Sequence, residues 1–127
     1  MQLIPNDSIK QELSDADGLT EERFVELSNR FLKDFKEGLL ETSGWPTAGA
    51  SYKVSKALVN AYTRVLAKKY SNACINCVCP GFVKTDLNWN TGPLTPEEGA
   101  RGPVMLALLP EGSPSGYFFD KTEVSSF

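Results

Sequence analysis

The residues of this chain that could carry out chemistry are a tyrosine and a lysine four positions apart, Tyr52 and Lys56. They stand at the start of an amphipathic segment, and helical residues four positions apart share a face, with Cβ atoms about 5–6 Å apart. A phenol and an ammonium group on one face can act on the same bound molecule. Because a nearby cation favours loss of a phenol's proton, such a pair suits proton transfer to a carbonyl compound near neutral pH.

A second pair with the same spacing, Tyr117 and Lys121, shows that spacing alone is weak support. The second pair lies in a segment typical of a strand, where four residues span about 13 Å. That separation is too large for the two side chains to cooperate. Tyr117 and Lys121 are therefore interpreted as structural residues, and Tyr52 and Lys56 as the candidate site.

The elements that must position this pair follow from the apolar periodicity. Residues 1–19 are polar and are predicted to form turns and loops, and later segments alternate between helix and strand. The predicted helices cover about 20–41, 51–69 and 96–109, with Thr20 and Thr95 as N-caps, and the predicted strands cover about 74–80 and 116–119. This order predicts an α/β fold with a parallel sheet built by crossovers.

Composition narrows the classes of function. The chain has 127 residues, 41% hydrophobic and 23% charged, which is typical of one globular domain. The net charge is −3 and histidine is absent, which argues against nucleic-acid binding and imidazole chemistry. No apolar run approaches the roughly 20 residues that span a bilayer, and the N-terminus lacks the features of a signal peptide. We expect a cytoplasmic protein that does not bind membranes.

Three cysteines, Cys74, Cys77 and Cys79, lie within six residues. A metal or redox cluster is one interpretation, because Cys74 and Cys77 form a Cys-x-x-Cys pair. A structural zinc site needs four ligands, and the sequence offers no fourth cysteine and no histidine. The favoured interpretation is a buried strand in which cysteine acts as a small hydrophobic residue, with no metal site.

The first pair stands in a longer pattern, which consists of the helix Tyr52–Lys69, the strand Ile75–Cys79 and the segment Pro80–Asp86. This pattern resembles the short-chain dehydrogenase/reductase family. The resemblance implies that Tyr52 is the catalytic acid/base and that Lys56 binds the nicotinamide ribose and assists the tyrosine. It also implies that Pro80 and Gly81 pack against the nicotinamide ring and that Val83 and Thr85 contact the cofactor.

Within that family the chain is similar to a plant branch that includes salutaridine reductase and the neomenthol and menthone reductases. The segments Phe31–Gly38, Gly44–Pro46 and Asn76–Asp86 carry this likeness. The branch prefers NADPH and has a helical flap inserted before the tyrosine, which leaves its members monomeric. Residues 1–46 would be this flap and residues 47–127 the C-terminal part of the catalytic domain. Trp89 would lie in the family's substrate loop, and Trp45 either packs or touches substrate.

The family's glycine-rich phosphate-binding turn has no counterpart in this sequence. The chain therefore looks like the C-terminal part of a Rossmann-like, doubly wound parallel sheet with a helical flap at its N-terminus. The intact form would be an NADP(H)-dependent reductase or dehydrogenase of a small terpenoid- or alkaloid-like ketone or alcohol. The alternative is a catalytically inactive fragment or a non-enzymatic interaction protein, and we expect little activity from the isolated chain.

Overall fold

The described part of the chain combines four α-helices with a small sheet. A computed structural model describes residues 4–15 and 17–126, so parts of the predicted N-terminal segment and flap (residues 1–3 and 16) lie outside the described residues. The helices are α1 (Asp7–Ser14), α2 (Glu21–Glu37), α3 (Ala50–Lys69) and α4 (Pro96–Ala107). The strands are β1 (Cys77–Cys79), β2 (Phe118–Asp120) and β3 (Glu123–Ser125), and a short 3-10 helix covers Asp86–Asn88.

The sheet has the order β1-β2-β3. Strands β1 and β2 are parallel, with Cys77 opposite Phe118, and α4 lies in the connection between them. The predicted α/β crossover is therefore confirmed. Strand β3 pairs antiparallel with β2 and was not predicted, because all of its residues are exposed and leave no apolar pattern to detect.

Strand β1 is shorter and less buried than the sequence predicted. Cys77 and Cys79 are half-buried and Cys74 is exposed, so the prediction of a strand covered on both faces is wrong for this chain. It lies at the edge of the sheet among the described strands, so one side of it has no neighbouring strand. The backbone groups of Cys77 and Cys79 form hydrogen bonds with β2 and its flanking residues. The backbone N–H and carbonyl of Val78, which lies between them, therefore face the unpaired edge.

Helix α1 corrects the prediction that residues 1–19 are loops. Asn6 caps it by accepting a hydrogen bond from the Ile9 N–H at 3.1 Å, and Ile9 and Leu13 are buried. Two buried side chains in one short helix give too little periodicity for recognition from sequence. The helix packs against α3.

Helix α2 begins as predicted and ends earlier than predicted. Thr20 accepts a hydrogen bond from the Arg23 N–H, and Gly38 ends the helix in the left-handed conformation with φ 72° rather than at Glu41. Glycine adopts this conformation without the steric cost of a side chain. Leu27 and Phe31 are buried, whereas Phe35 is about half exposed, so only some of the apolar residues of α2 pack in the core.

Helix α3 forms the centre of the core and follows the predicted range closely. Val54 and Ala61 are 0% exposed, and Ala50 and Val65 are buried near the two ends. Its small residues let α1, α2 and β1 approach it. No helix of the described residues is both long and apolar enough to cross a membrane.

Helix α4 begins at the predicted capping box. The Thr95 side chain accepts from the Glu98 N–H at 3.2 Å, and the Glu98 carboxylate accepts from the Thr95 N–H at 2.8 Å. The helix then lies close to the ends of the strands because Gly99 and Gly102 are buried and lack side chains. A Cβ at Gly102 would stand 2.2 Å from the Lys121 carbonyl oxygen, so glycine is required for this contact.

Candidate active site

A cleft of about 670 Å³ opens between the helices α1 and α3 and the carboxyl ends of β1 and β2. Its walls combine apolar side chains with a few polar and charged ones. The lining residues that matter for chemistry are Lys10, Tyr52, Lys56, Asn60, Arg64, Pro80, Gly81, Asp120 and Lys121. Ligands of open α/β sheets bind outside the carboxyl ends of the strands, which is where this cleft lies.

Tyr52 and Lys56 line the cleft from the first two turns of α3. The Lys56 Nζ atom lies 5.6 Å from the centroid of the Tyr52 ring, so the two side chains share a face as their spacing predicts. Tyr52 is 64% exposed, which leaves its hydroxyl accessible to a ligand. The other face of the helix is anchored by Ala50 and Val54, which are 5% and 0% exposed.

The segment that leads into α3 is fixed by a buried tryptophan. The Trp45 Nε1–H donates to Asp34 Oδ2 at 2.8 Å, and the indole packs edge-on against Phe31 with ring centroids 5.2 Å apart. This hydrogen bond is the main reason that the pKa of Asp34 lies below its ordinary value. Trp45 is only 3% exposed, so of its two interpretations the structure favours packing.

Pro80 and Gly81 also line the cleft, directly after β1. Gly81 has φ 85°, and a Cβ there would stand 2.6 Å from Leu94 Cδ1. Both the backbone conformation and the lack of space therefore require glycine. This segment brings bare backbone to the wall of the cleft that also contains Tyr52 and Lys56.

Three residues with predicted roles do not line the cleft. Val83 packs against Gly99 of α4. A Cβ built at Gly99 would stand 2.4 Å from Val83 Cγ2. Thr85 caps the 3-10 helix, and its N–H donates to Asn88 Oδ1 at 3.2 Å. Trp89 follows that helix with φ 49° and is 88% exposed.

Lys121 lines the cleft, although its sequence context suggested only a structural role, and Tyr117 does not line it. Lys121 follows β2 directly and is joined to β1 by its N–H, which donates to the Cys79 carbonyl at 2.8 Å. A position at the carboxyl end of a parallel strand is typical of a residue that faces a ligand site. This position was missed because Lys121 was interpreted only from its spacing to Tyr117.

The cysteines contribute no metal centre within the described residues, where no group of three or more potential ligands is arranged around a common point. Burial is the main reason that the pKa of the Cys77 thiol is raised above its ordinary value. A raised pKa keeps the thiol protonated and weakens it as a nucleophile. Cys77 is therefore suited to packing behind the cleft rather than to chemistry in it.

Comparison with known proteins gives close matches, although no family model matches the chain. Short-chain dehydrogenase/reductase 1 of Saponaria officinalis is 54% identical over 124 residues, which cover 98% of this chain and 41% of that protein. (+)-Neomenthol dehydrogenase of Capsicum annuum is 54% identical over 127 residues, which cover 100% of this chain and 40% of that protein. Carbonyl reductase [NADPH] 1 of Homo sapiens is 38% identical over 117 residues, which cover 86% of this chain and 42% of that protein.

The solved structure of salutaridine reductase from Papaver somniferum has the same fold as this chain. The TM-score is 0.85 at 52% sequence identity, and the match covers 94% of this chain and 40% of that chain. This chain thus spans about two fifths of the length of the relatives that it matches.

Proposed function

Because this chain belongs to the short-chain dehydrogenase/reductase family, we propose that its cleft serves the NADPH-dependent reduction of a small ketone, or the reverse oxidation of the alcohol. The observation that carries the proposal is the presence of Tyr52, Lys56 and Gly81 on the walls of one cleft. The names of the relatives, among them a carbonyl reductase [NADPH] and a neomenthol dehydrogenase, support the same reaction class.

The residues of the cleft fit a nicotinamide cofactor. Gly81 brings backbone to the wall of the cleft, because Leu94 and Lys121 leave no room for a side chain there, and Pro80 beside it offers an apolar surface for a flat ring. When bound, NADPH supplies the hydride that reduces the carbonyl carbon. Lys56 would hold the nicotinamide ribose, and Pro80 and Gly81 would pack on the ring. Val83 and Thr85 would contact the cofactor from the loop that follows.

Tyr52 would act as the general acid. Its hydroxyl would donate a proton to the carbonyl oxygen as negative charge develops there, and the phenolate left behind would be reprotonated from solvent. The ammonium group of Lys56 assists because it lies on the same helical face, 5.6 Å from the Tyr52 ring centroid. In the oxidation direction Tyr52 would accept the proton of the alcohol.

We further propose that residues 1–46 form a flap over the substrate and that residues 47–127 carry the catalytic chemistry. Ile4, Lys10 and Leu13 support this division, because they line the cleft opposite the strand ends. Trp89 would contact substrate from the loop after the 3-10 helix, and its high exposure leaves the indole accessible for that contact. The substrate would be a terpenoid- or alkaloid-like carbonyl compound, bound by a cytoplasmic monomer in the intact form.

The test is NADPH oxidation with a cyclic monoterpenoid ketone, comparing the chain with its Tyr52→Phe variant. We expect any turnover to fall by about 100-fold or more, since general acid catalysis contributes about 10²–10⁴-fold. Tyr117→Phe is the matched control, because it removes a hydroxyl from the other tyrosine–lysine pair and should keep turnover within about twofold. Equal turnover of Tyr52→Phe and the unaltered chain would contradict the assignment.

The open edge of β1 favours a second candidate function, a non-catalytic protein that pairs through its sheet. The N–H and carbonyl of Val78 face this edge, which no described strand covers. Absence of turnover from the unaltered chain, with its fold intact by circular dichroism, would favour this candidate. Turnover that depends on Tyr52 would exclude it.

A further inference from the structure

We propose that Lys121 binds an oxyanion of the ligand that occupies the cleft. The ligand class rests on the proposed function, whereas the cationic site itself rests on the geometry of β1, β2 and the turn after β2. Lys121 lies outside the Tyr52–Lys56 motif, so it would add an ammonium group to the binding surface beside those of Lys10 and Lys56.

The backbone of Lys121 is held by two contacts. Its N–H donates to the Cys79 carbonyl at 2.8 Å, and its own carbonyl packs against the bare backbone of Gly102 in α4. Its φ of 58° is left-handed, a conformation that costs a lysine energy and persists only where the surroundings fix it. The root of the side chain is therefore fixed at the carboxyl ends of β1 and β2.

The side chain then reaches along the wall of the cleft at Gly81. A Cβ at Gly81 would lie 3.2 Å from Lys121 Cε and 3.9 Å from Lys121 Cγ. The lysine stem thus occupies the space that any larger residue at position 81 would need. The ammonium group is carried to the segment that the proposed function assigns to the cofactor ring.

The charge of the cleft favours an anionic ligand. Among the described residues that line it are four cationic side chains, Lys10, Lys56, Arg64 and Lys121, and one side-chain carboxylate, Asp120. The whole chain has net charge −3, so positive charge is concentrated in this cleft against the overall balance. Within residues 4–15 and 17–126, neither Lys56 nor Lys121 has a carboxylate close enough for an ion pair, in contrast with Lys68 and Lys69.

Two parts of a ligand could supply the oxyanion. One is a phosphate of the dinucleotide, and the other is a carboxylate on the carbonyl substrate. Both accept charge-assisted hydrogen bonds from an ammonium group. The experiment below separates them, because each source is offered to the protein alone.

The test measures binding of three probes to the 127-residue chain by shifts of its backbone amide signals. The probes are NADPH, 4-oxocyclohexanecarboxylate and the neutral 4-methylcyclohexanone. We expect Lys121→Gln to weaken binding of NADPH or of the carboxylate by about tenfold, since hydrogen bonds to charged groups have this strength. Binding of the neutral ketone should change by less than about twofold.

Two further variants make the result specific. Lys84→Gln is the matched control, because it removes the same charge from an exposed residue that does not line the cleft. Lys121→Arg keeps the charge and should retain most of the affinity, which separates loss of the cation from damage to the turn. A dispersed amide spectrum for Lys121→Gln verifies that the variant is folded.

Each outcome is decisive. A loss for NADPH alone assigns Lys121 to a phosphate of the cofactor, and a loss for the carboxylate alone assigns it to the substrate. Equal affinities of Lys121→Gln and Lys84→Gln for both anions would overturn the proposal. Because binding needs no turnover, the oxyanion site can stand even if Tyr52→Phe shows that the proposed function is wrong.

Discussion

Asp34 and Trp45 show how a residue remote from the cleft bears on it. The carboxylate accepts the indole N–H at 2.8 Å, and Arg30 Nε lies 3.8 Å from the same oxygen. The residues that follow Trp45 lead directly into the first turn of α3, which carries Tyr52. The ionised form of Asp34 therefore stabilises the segment from which the proposed catalytic residue projects.

This contact predicts a pH dependence of stability. The pKa of Asp34 in the folded state lies below its ordinary value of 3.8. The ionised carboxylate therefore stabilises the fold at pH values above 3.8. This stabilisation is lost as the pH falls through the folded-state pKa. Asp34→Asn should lower the melting temperature near neutral pH and have a shrinking effect below about pH 4. Thermal unfolding followed by circular dichroism measures this, and a difference that is constant with pH would contradict it.

The two tyrosine–lysine pairs show how far sequence reasoning reaches at this scale. Helical periodicity placed Tyr52 and Lys56 on one face, because contacts four residues apart depend only on local geometry. Lys121 reaches the cleft through its bond to Cys79, which is distant in sequence. The spacing from Tyr117 contains no information about such a partner, and only the position of Lys121 after a predicted parallel strand could have indicated its place at the cleft.

At the scale of elements, α2 divides its apolar residues between the core and the surface. Leu27 is 1% exposed and packs toward α3, whereas Leu32 on the same helix is 52% exposed. The apolar stripe predicted both positions as candidates for packing. Only the arrangement of α2 against α3 distinguishes them.

The division predicts unequal effects of one chemical change. Leu27→Ala should lower the free energy of unfolding by about 2–5 kcal/mol, because it leaves a cavity in the core. Leu32→Ala, its matched control, should change the free energy by no more than about 0.5 kcal/mol. Urea denaturation measures both, and similar losses for the two variants would show that α2 packs differently.

The ends of elements were less predictable than their existence. The capping residues Thr20 and Thr95 were identified correctly, because capping is a local hydrogen bond between neighbouring residues. The end of α2 at Gly38 was missed, since the apolar pattern continues through Leu39 and Leu40 after the helix has stopped. The α/β order and the parallel pairing followed from element order alone.

At the scale of the whole molecule, packing is concentrated on α3 and becomes sparse toward β3. Val54 and Ala61 in α3 are fully buried, and the residues of β3 are all exposed. Local stability follows burial and hydrogen bonding, so the two regions should open with different free energies. The structure thus combines a firm helical core with a weakly held sheet edge.

Hydrogen exchange followed by mass spectrometry tests this contrast. Peptides that cover Glu123–Ser125 should exchange early, because their backbone bonds are accessible to solvent. Peptides from the middle of α3 should exchange last. If both regions exchanged at the same rate, the chain would open as a single cooperative unit and the proposed gradient would be wrong.

Val78 takes part in two surfaces at once, since it lines the cleft and its backbone groups face the unpaired edge of β1. A strand that paired with this edge would therefore lie next to the cleft. If that strand touched the bound ligand, ligand occupancy and strand pairing would be linked equilibria. Such a coupling is reciprocal. If a paired strand changed the affinity for the ligand by some factor, the ligand would change the affinity for the strand by the same factor.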